Sequence, residues 1–579
     1  MRLRSLFKLT AGILIILSGT ALAADAGFPT GVPSAVYPEQ VGKGITTQQP
    51  TQTTSVLPPV LNKREAEKTP LGAQAAKIKF VLNGIILKGN TMYSTQQLSA
   101  IYKDKLHKKI SVADLFAIVQ NITNFYRNNG FILSRAILPP QRVKGGIVTI
   151  QVIEGYIGNV TVSGNPHGAG CLVKAYGKRI SACKPLQLSR MERYLLIMNE
   201  IPATQVRAVL SPSKTQVGAA DLTLVTDNHP VTGYLSYDNY GTRYIGPQQL
   251  TASAAVNSGI SSGDTTRLTV TKTPKGGELT YIDLNYNMAV WNEGTRLLLG
   301  GTRVQTHPLF VLTPTKINGI NSTYYTTFFF PLIRTRSQSL TTRAGFNYMD
   351  SYVTFSSFNL KLYTDHIRSL DFGFTYNFAD RFYGSNLISF DLWQGLPVWG
   401  YSNNTNPNTA LTSRPGGHAY YTKFAATLSR VQAIYGPWSL YVMAQGQYAF
   451  SALLASQQFT YGGSQIGRGY DVAEIIGDNG AAGSLELRYD LGVNKWPLQS
   501  MELYGFYDAG IIWNYLFIGG VPRKQSATSA GLGFRFYGSK YISGNLMWAQ
   551  PLTKTVAAEA LIGDGWRPRV FFSVVANLD

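Results

Sequence analysis

The sequence predicts a mainly β protein: a C-terminal 16-stranded antiparallel transmembrane β-barrel preceded by two small α+β domains. Three observations lead there. The 579-residue chain is only 14% charged but 12% aromatic, with 57 glycines; that balance is unusual for a soluble enzyme and suits aromatic girdles and tight turns. From Val231 onward, strand-length segments alternate apolar and polar residues with a period of two. The chain also opens with a secretory signal, yet no later segment offers the run of about 20 apolar residues that a spanning helix needs. A membrane role then falls to strands, because only helices and closed barrels satisfy their backbone groups in lipid.

Residues 1–23 carry the three parts of a signal peptide. Arg2, Arg4 and Lys8 are basic, Ala11–Leu17 is apolar, and Ala21-Leu22-Ala23 is a small-residue cleavage site, so Ala24 starts the mature chain. The formal charge is +21. On an exported protein this points to anionic outer-membrane lipid or lipopolysaccharide, or to an acidic client, and not to nucleic acid. Residues 24–76 are punctuated by Pro29, Pro33, Pro38, Pro50, Pro58, Pro59 and Pro70 and are rich in Gln and Thr. With little apolar surface to bury, this stretch predicts a flexible periplasmic linker without a clear amphipathic helix.

The first small unit spans 77–156. Phe80–Leu87 reads as a strand closed by Gly89-Asn90, and Ser94–Lys103 and Val112–Asn128 carry helical periodicity. Leu115, Ile118, Val119, Ile122 and Tyr126 share one face of the second helix. Strands near Ala136–Leu138 and Ile147–Ile153 complete a β-α-α-β-β layout. The second unit, 157–228, repeats that layout weakly. Ile157–Asn165 again ends a strand in Gly-Asn, Leu188–Met198 is helical, and Val206–Leu210 and Asp221–Val225 close the unit. Cys171 and Cys183 are the two cysteines. In an oxidising periplasm they are expected to form a disulfide, worth about 3 kcal/mol in the chain-entropy model. No metal site is expected, since His167 lies near Cys171 but nothing close to Cys183 completes a four-ligand set.

Residues 229–579 read as hairpins only. Ile282, Leu284, Tyr286 and Met288 alternate with Asp283, Asn285 and Asn287; Leu485, Leu487, Tyr489 and Leu491 alternate with Ser484, Glu486, Arg488 and Asp490. Met501, Leu503, Tyr507 and Ala509 alternate with Glu502, Tyr504, Phe506 and Asp508. An apolar outer face with a polar, charged lumen is the pattern of a membrane barrel. At roughly 20–23 residues per strand and loop, the length gives about 16 strands, roughly eleven before Tyr461 and five after Gly480. An odd number places the intervening loop, about 451–480, on the side opposite the small domains. That loop carries Tyr461–Tyr470, too glycine-rich for a strand and holding one cation, Arg468.

These motifs together resemble the outer-membrane transporter of two-partner (type V) secretion, the haemolysin secretion/activation type within the superfamily of barrels that bear POTRA domains. The first unit carries Gly130-Phe131, Ser134–Ala136, Leu138–Gln141, Gly145-Gly146 and Val152–Ile157, similar in succession to the family's first POTRA domain. The second ends in Leu210–Ser213 and Asp221-Leu222, and the barrel opens with Asp238–Arg243 and later Gly263-Asp264. Gly467-Arg468-Gly469-Tyr470 is similar to the family's [V/I]-R-G-[F/Y] loop, with glycine where Val or Ile is usual, and Phe506-Tyr507-Asp508 to its F-x-D wall motif. The chain departs at its last residues, Asn577–Asp579, where a terminal Phe is usual; Leu578 or Phe572 is left to carry the insertion signal.

The resemblance implies an outer-membrane pore of a Gram-negative bacterium, with periplasmic POTRA domains. It would recognise an unfolded exoprotein through that client's N-terminal secretion domain, and would itself be inserted by the barrel-insertion machinery. It implies that Arg468 reaches into the lumen and pairs with Asp508; independently, a cation on a Gly-rich loop in a narrow channel needs a partner. Gly467, Gly469, Tyr470 and Phe506 complete the gate motif. Sheet edges of the POTRA units are expected to accept a client strand, with Tyr126, Phe131, Arg135 and Gln141 as candidate contacts; Tyr126 and Phe131 equally suit the core. No cofactor or energy source is expected, since Gly42-Lys43 is followed by glycine and lacks a phosphate-cradling loop. Other readings are a barrel-assembly factor, a passive porin, or a hydrolase built on Gly259–Gly263, which fits G-x-S-x-G around Ser261 but sits at a hairpin tip and not between strand and helix.

Overall fold

The computed structural model of the protein describes residues 33–48, 75–216, 218–274, 276–356, 360–403, 411–493, 498–515, 523–538, 541–554, 556, 562–563 and 566–578. The expected signal peptide lies outside them.

The first small unit holds β1 (Lys79–Leu82), β2 (Gly84–Lys88), β3 (Lys108–Ser111), β4 (Arg135–Ile137) and β5 (Ile147–Ile153). The expected single strand over Phe80–Leu87 is two, broken at Asn83, whose N–H donates to Gly146 O at 2.8 Å. β1 pairs with β3, while β2, β5 and β4 form a separate sheet. The helix Val112–Asn128 starts on a capping box: Ser111 Oγ accepts from the Asp114 N–H and the Asp114 carboxylate from the Ser111 N–H. That backbone donor holds the Asp114 carboxyl below its ordinary range. Its buried face, Leu115, Ile118, Ile122 and Tyr126, packs on Val148, Ile150 and Val152 of β5. The expected helix Ser94–Lys103 is one short helix, Thr95–Ser99, followed by a 3-10 turn at Lys103–Lys105.

The second unit holds β6 (Tyr156–Asn165), β7 (Thr204–Pro212) and β8 (Ala219–Asn228) in the order β6-β8-β7. Two helices cover one face, Leu188–Met198 and a helix that the sequence reading missed, Gly170–Ser181. That second helix overturns the expected disulfide. Cys171 and Cys183 stand at its two ends and both are free thiols. Twelve residues of helix separate Cα atoms by about 18 Å, far beyond the roughly 7 Å a disulfide can span. Two thiols per chain should therefore react with Ellman's reagent after unfolding without reductant; zero would restore the bridge.

The barrel closes 16 antiparallel strands. In order they are β9 (Val231–Asp238), β10 (Gln249–Asn257), β11 (Thr265–Lys272), β12 (Leu279–Ala289), β13 (Arg296–Thr306), β14 (Ile317–Arg334), β15 (Gln338–Phe355) and β16 (Leu360–Ala379). Then come β17 (Gly384–Gly395), β18 (Thr422–Tyr435) and β19 (Trp438–Ala449). After the long loop, with its short hairpin β20 (Phe459–Tyr461) and β21 (Ile475–Gly477), follow β22 (Asn479–Asp490), β23 (Ser500–Trp513), β24 (Lys524–Tyr537), β25 (Ile542–Pro551) and β26 (Arg569–Leu578). Leu284, Leu487 and Leu503 face outward and are exposed, whereas Asp283, Glu486 and Asp508 face inward and are buried. On the outer wall Phe374, Phe390 and Phe424 form a cross-strand aromatic ladder with centroids 5.4–6.0 Å apart. The seam between β26 and β9 is short, six pairs from Ser573↔Asp238 to Leu578↔Gly233.

Two segments fill the lumen. One corrects the linker expectation for 24–76: Ser34–Val36 form a 3-10 turn and Pro38–Gln48 an α-helix packed inside the barrel. Val36, Val41 and Ile45 pack against Tyr281, Val304, Ile317 and Val353 of the wall. Gly42, Gly44 and the Thr-Thr-Gln end give this segment little helix propensity of its own. The wall supplies what propensity does not. The other segment is the loop between β19 and β22, which folds inward.

Candidate functional site

The loop tip is pinned to one side of the lumen by its arginine. Arg468 Nε donates to Asp508 Oδ2 at 2.9 Å and Nη2 to Asp508 Oδ1 at 2.8 Å, a two-pronged pair. Its backbone N–H donates to the same carboxylate at 3.0 Å. Nη1 donates to Glu486 Oε2 at 2.6 Å and Nη2 also to Ser484 Oγ at 2.8 Å. The guanidinium lies 3.7 Å from the Phe506 ring centroid, a cation–π contact. Arg468 and Asp508 are 4% and 0% exposed.

Register puts these partners together. Ser484 faces Asp508 and Glu486 faces Phe506 across β22 and β23, so alternate residues of two neighbouring strands make one acidic seat. Glu486 also accepts from Arg488 at 2.7 Å and Arg535 at 2.8 Å, and Arg535 reaches Glu502 at 2.6 Å. Three arginines meet three carboxylates, so the desolvated cluster carries no excess charge. Tyr470 holds the far side of the tip: its O–H donates to Thr528 O at 2.7 Å. Gly467 sits at φ +74°, and a Cβ there would stand 2.7 Å from Gly462 N. A β-branched residue at that position would not allow this turn.

The sequence reading missed the second anchor. Asp471, also buried, takes Arg243 Nε at 2.8 Å and Arg569 Nη1 at 3.0 Å. Arg243 follows β9 and Arg569 begins β26, so one carboxylate ties the loop to both strands of the seam. Arg243 stood in a motif already noted; what sequence cannot give is the closure that brings residue 569 to it.

The lumenal helix is held by buried polar contacts. Glu39 accepts from Ser351 Oγ at 2.8 Å and from the Tyr363 O–H at 3.0 Å. Ser34 Oγ donates to Ala473 O at 2.6 Å, Gln40 Nε2 to Ala455 O at 2.5 Å, and Lys43 to Ser456 O. The helix therefore grips both the wall and the inward loop. Gly42 and Lys43 belong to this helix and not to a phosphate loop.

The four recognition candidates in the first POTRA unit do not form one surface. Tyr126 and Phe131 are core, with ring centroids 6.0 Å apart. The Tyr126 O–H donates to Glu154 at 2.8 Å, and burial together with that carboxylate pushes the phenol well above its ordinary range. Gln141 is exposed but spent on structure: its amide bonds Thr149 N–H and O at 2.8 and 2.7 Å, capping the edge of β5 beyond β4. Arg135 is exposed on edge strand β4. A surface that the sequence reading overlooked lies nearby. Ile86, Ile137 and Ile147 stand exposed on the sheet face opposite the helix. Ser261 sits in the β10–β11 turn, where the Asp264 carboxylate takes its N–H at 2.7 Å; this is turn chemistry, without a nucleophile elbow.

The second unit docks on the periplasmic turns. Ser262 Oγ donates to Gly168 O at 2.7 Å, Arg193 to Pro331 O and Leu332 O at 2.7 and 2.9 Å, and the Tyr194 O–H to Glu293 at 2.8 Å. Three hairpins thus fix the second unit beneath the barrel mouth.

Comparison with known proteins agrees with this geometry. Residues 80–155 match the model of the ShlB-type POTRA domain, and residues 219–536 that of the haemolysin secretion/activation protein ShlB/FhaC/HecB. The chain is 25% identical over 503 residues to the heme/hemopexin transporter protein HuxB of Haemophilus influenzae, covering 85% of this chain and 87% of HuxB. It is 23% identical over 480 residues to the outer membrane transporter CdiB of Dickeya dadantii, covering 78% of each. The solved structure of CdiB from Escherichia coli superposes with a TM-score of 0.69 at 17% identity, over 93% of this chain and 95% of that one.

Proposed function

This chain belongs to the haemolysin secretion/activation family ShlB/FhaC/HecB, and from that premise we propose how it exports its partner. It is an outer-membrane transporter of two-partner secretion that moves a secreted exoprotein to the cell surface. The observation that carries the reading is a closed barrel whose lumen holds two segments, a helix that obstructs it and a loop whose tip is fixed to one side of the wall. The loop is locked to the wall through Arg468, whereas the Pro38–Gln48 helix is held by apolar packing on the wall and by individual hydrogen bonds. Release of the helix opens a polar path, while Arg468 keeps the loop out of that path.

The unfolded client adds as a strand to the exposed edge of a POTRA sheet and rests apolar side chains on Ile86, Ile137 and Ile147. It then enters the lumen from directly below. Folding of the client outside prevents its return, without nucleotide hydrolysis or catalysis by the barrel. The client is a haemolysin, adhesin or contact-dependent toxin type of exoprotein, presented by its N-terminal secretion domain. Outer-membrane lipid and lipopolysaccharide surround the wall, and the barrel-insertion machinery places it there.

The test is an Ile86→Glu/Ile137→Glu variant in a strain that exports a secreted partner through the transporter. Secretion should fall about tenfold or more, with the transporter still inserted and other outer-membrane barrels at normal levels. Undiminished secretion removes the docking face. Broad loss of barrels on deleting the transporter would instead favour an assembly factor.

A further inference from the structure

We propose that the cleft between the Gly170–Ser181 helix and the β12–β13 turn binds the phosphate headgroup of an anionic phospholipid in the periplasmic leaflet, clamping the second POTRA unit to the membrane. The cleft has a volume of about 360 Å³ and is lined by Cys171, Lys174, Ala175, Lys178, Arg179 and Asn292. Lys174 and Lys178 are one helical turn apart, so their ammonium groups project from one face. Both are exposed. Glu293, next in sequence to Asn292, is already engaged by Arg179 at 3.3 Å and by the Tyr194 O–H at 2.8 Å. Two cations are therefore left over in a cleft large enough for a phosphate ester.

The height of the cleft selects the ligand. Asn292 on its rim follows Trp291, whose exposed ring stacks on Phe330 at 6.5 Å. Phe330 stacks in turn on Phe328 at 6.1 Å, on the lipid-facing side of β14. Outward aromatics at the end of a barrel mark the bilayer interface. The cleft, joined to them through Asn292, stands level with lipid phosphates, and the aliphatic stems of its lysines can lie along the apolar boundary. An acidic client segment would have to leave the lumen axis to reach this outer position. The inference needs the barrel in a bilayer but no client, so its test is independent of export.

Cys171 in the cleft is the reporter. The full chain with Cys183→Ser is reconstituted in nanodiscs of phosphatidylcholine, with or without phosphatidylglycerol, and maleimide alkylation of Cys171 is timed. Phosphatidylglycerol should slow the reaction about fivefold or more, and Lys174→Gln/Lys178→Gln should bring that ratio close to one while the barrel stays heat-modifiable. Equal rates in both lipids would overturn the proposal. So would equal slowing of Cys183 in a Cys171→Ser protein, which reports only surface potential. Protection by an acidic peptide in detergent, without protection by phosphatidylglycerol, would assign the cleft to a protein partner and likewise overturn it.

Discussion

Arg468→Ala is expected to leave the barrel inserted and to reduce export at least tenfold. The substitution strips Asp508 and Glu486 of a buried, two-pronged partner, and breaking such a pair costs about 3–5 kcal/mol. The barrel itself has many other contacts, so the cost falls on the loop. Its tip leaves the β22–β23 wall and enters the space that the client needs. Arg468→Lys should not rescue, because a point ammonium cannot reach Asp508, Glu486 and Ser484 together. Asp508→Ala should resemble Arg468→Ala, and the double variant should be no worse than either alone, since all three lose the same lock. Secreted partner per inserted transporter is the quantity to measure. Normal export by Arg468→Ala would remove the loop lock from the mechanism.

Glu39→Ala should act in the opposite direction, on the plug. Ser351 and Tyr363 then have no acceptor on the Pro38–Gln48 helix. A hydrogen bond contributes about 0.5–1.5 kcal/mol net, and lumen water can replace part of that. Losing both shifts the in/out balance of the helix about tenfold, as 1.4 kcal/mol is a factor of ten. In planar bilayers the variant should therefore spend roughly ten times longer at high conductance. Deleting residues 34–48 should hold the pore open. Conductance equal to the parent in both variants would mean that this helix is not the obstruction.

Much of this architecture was legible in sequence, and the gaps have physical causes. Period-two alternation in β12, β22 and β23 separates two faces without saying which is inward; reading the chain as a membrane barrel assigns the apolar face to lipid, and the structure agrees. The count of eleven strands before the loop and five after it matches the observed barrel, since strand length is set by bilayer thickness. Helices were harder. Gly170–Ser181 has Leu172, Val173, Tyr176 and Ile180 at helical spacing, but Gly177 interrupts it. That glycine is there for packing: a Cβ would stand 2.6 Å from Val160 Cγ1. The Pro38–Gln48 helix has little propensity of its own and packs on the wall, so its residues read as linker. Within the site, the motif put Arg468 beside Asp508. Glu486, Ser484 and Arg535 depend on strand register, and Asp471 on closure of the barrel, neither of which a single motif contains.

The central claim is that a polypeptide crosses through the lumen. A photoreactive residue placed at Asn285, on the lumen-facing side of β12, and then at its lipid-facing neighbour Leu284, reads this directly in cells arrested during export. Crosslinks to the client at Asn285 and none at Leu284 are the expected result. Client crosslinks at Leu284 with none at Asn285 would contradict it.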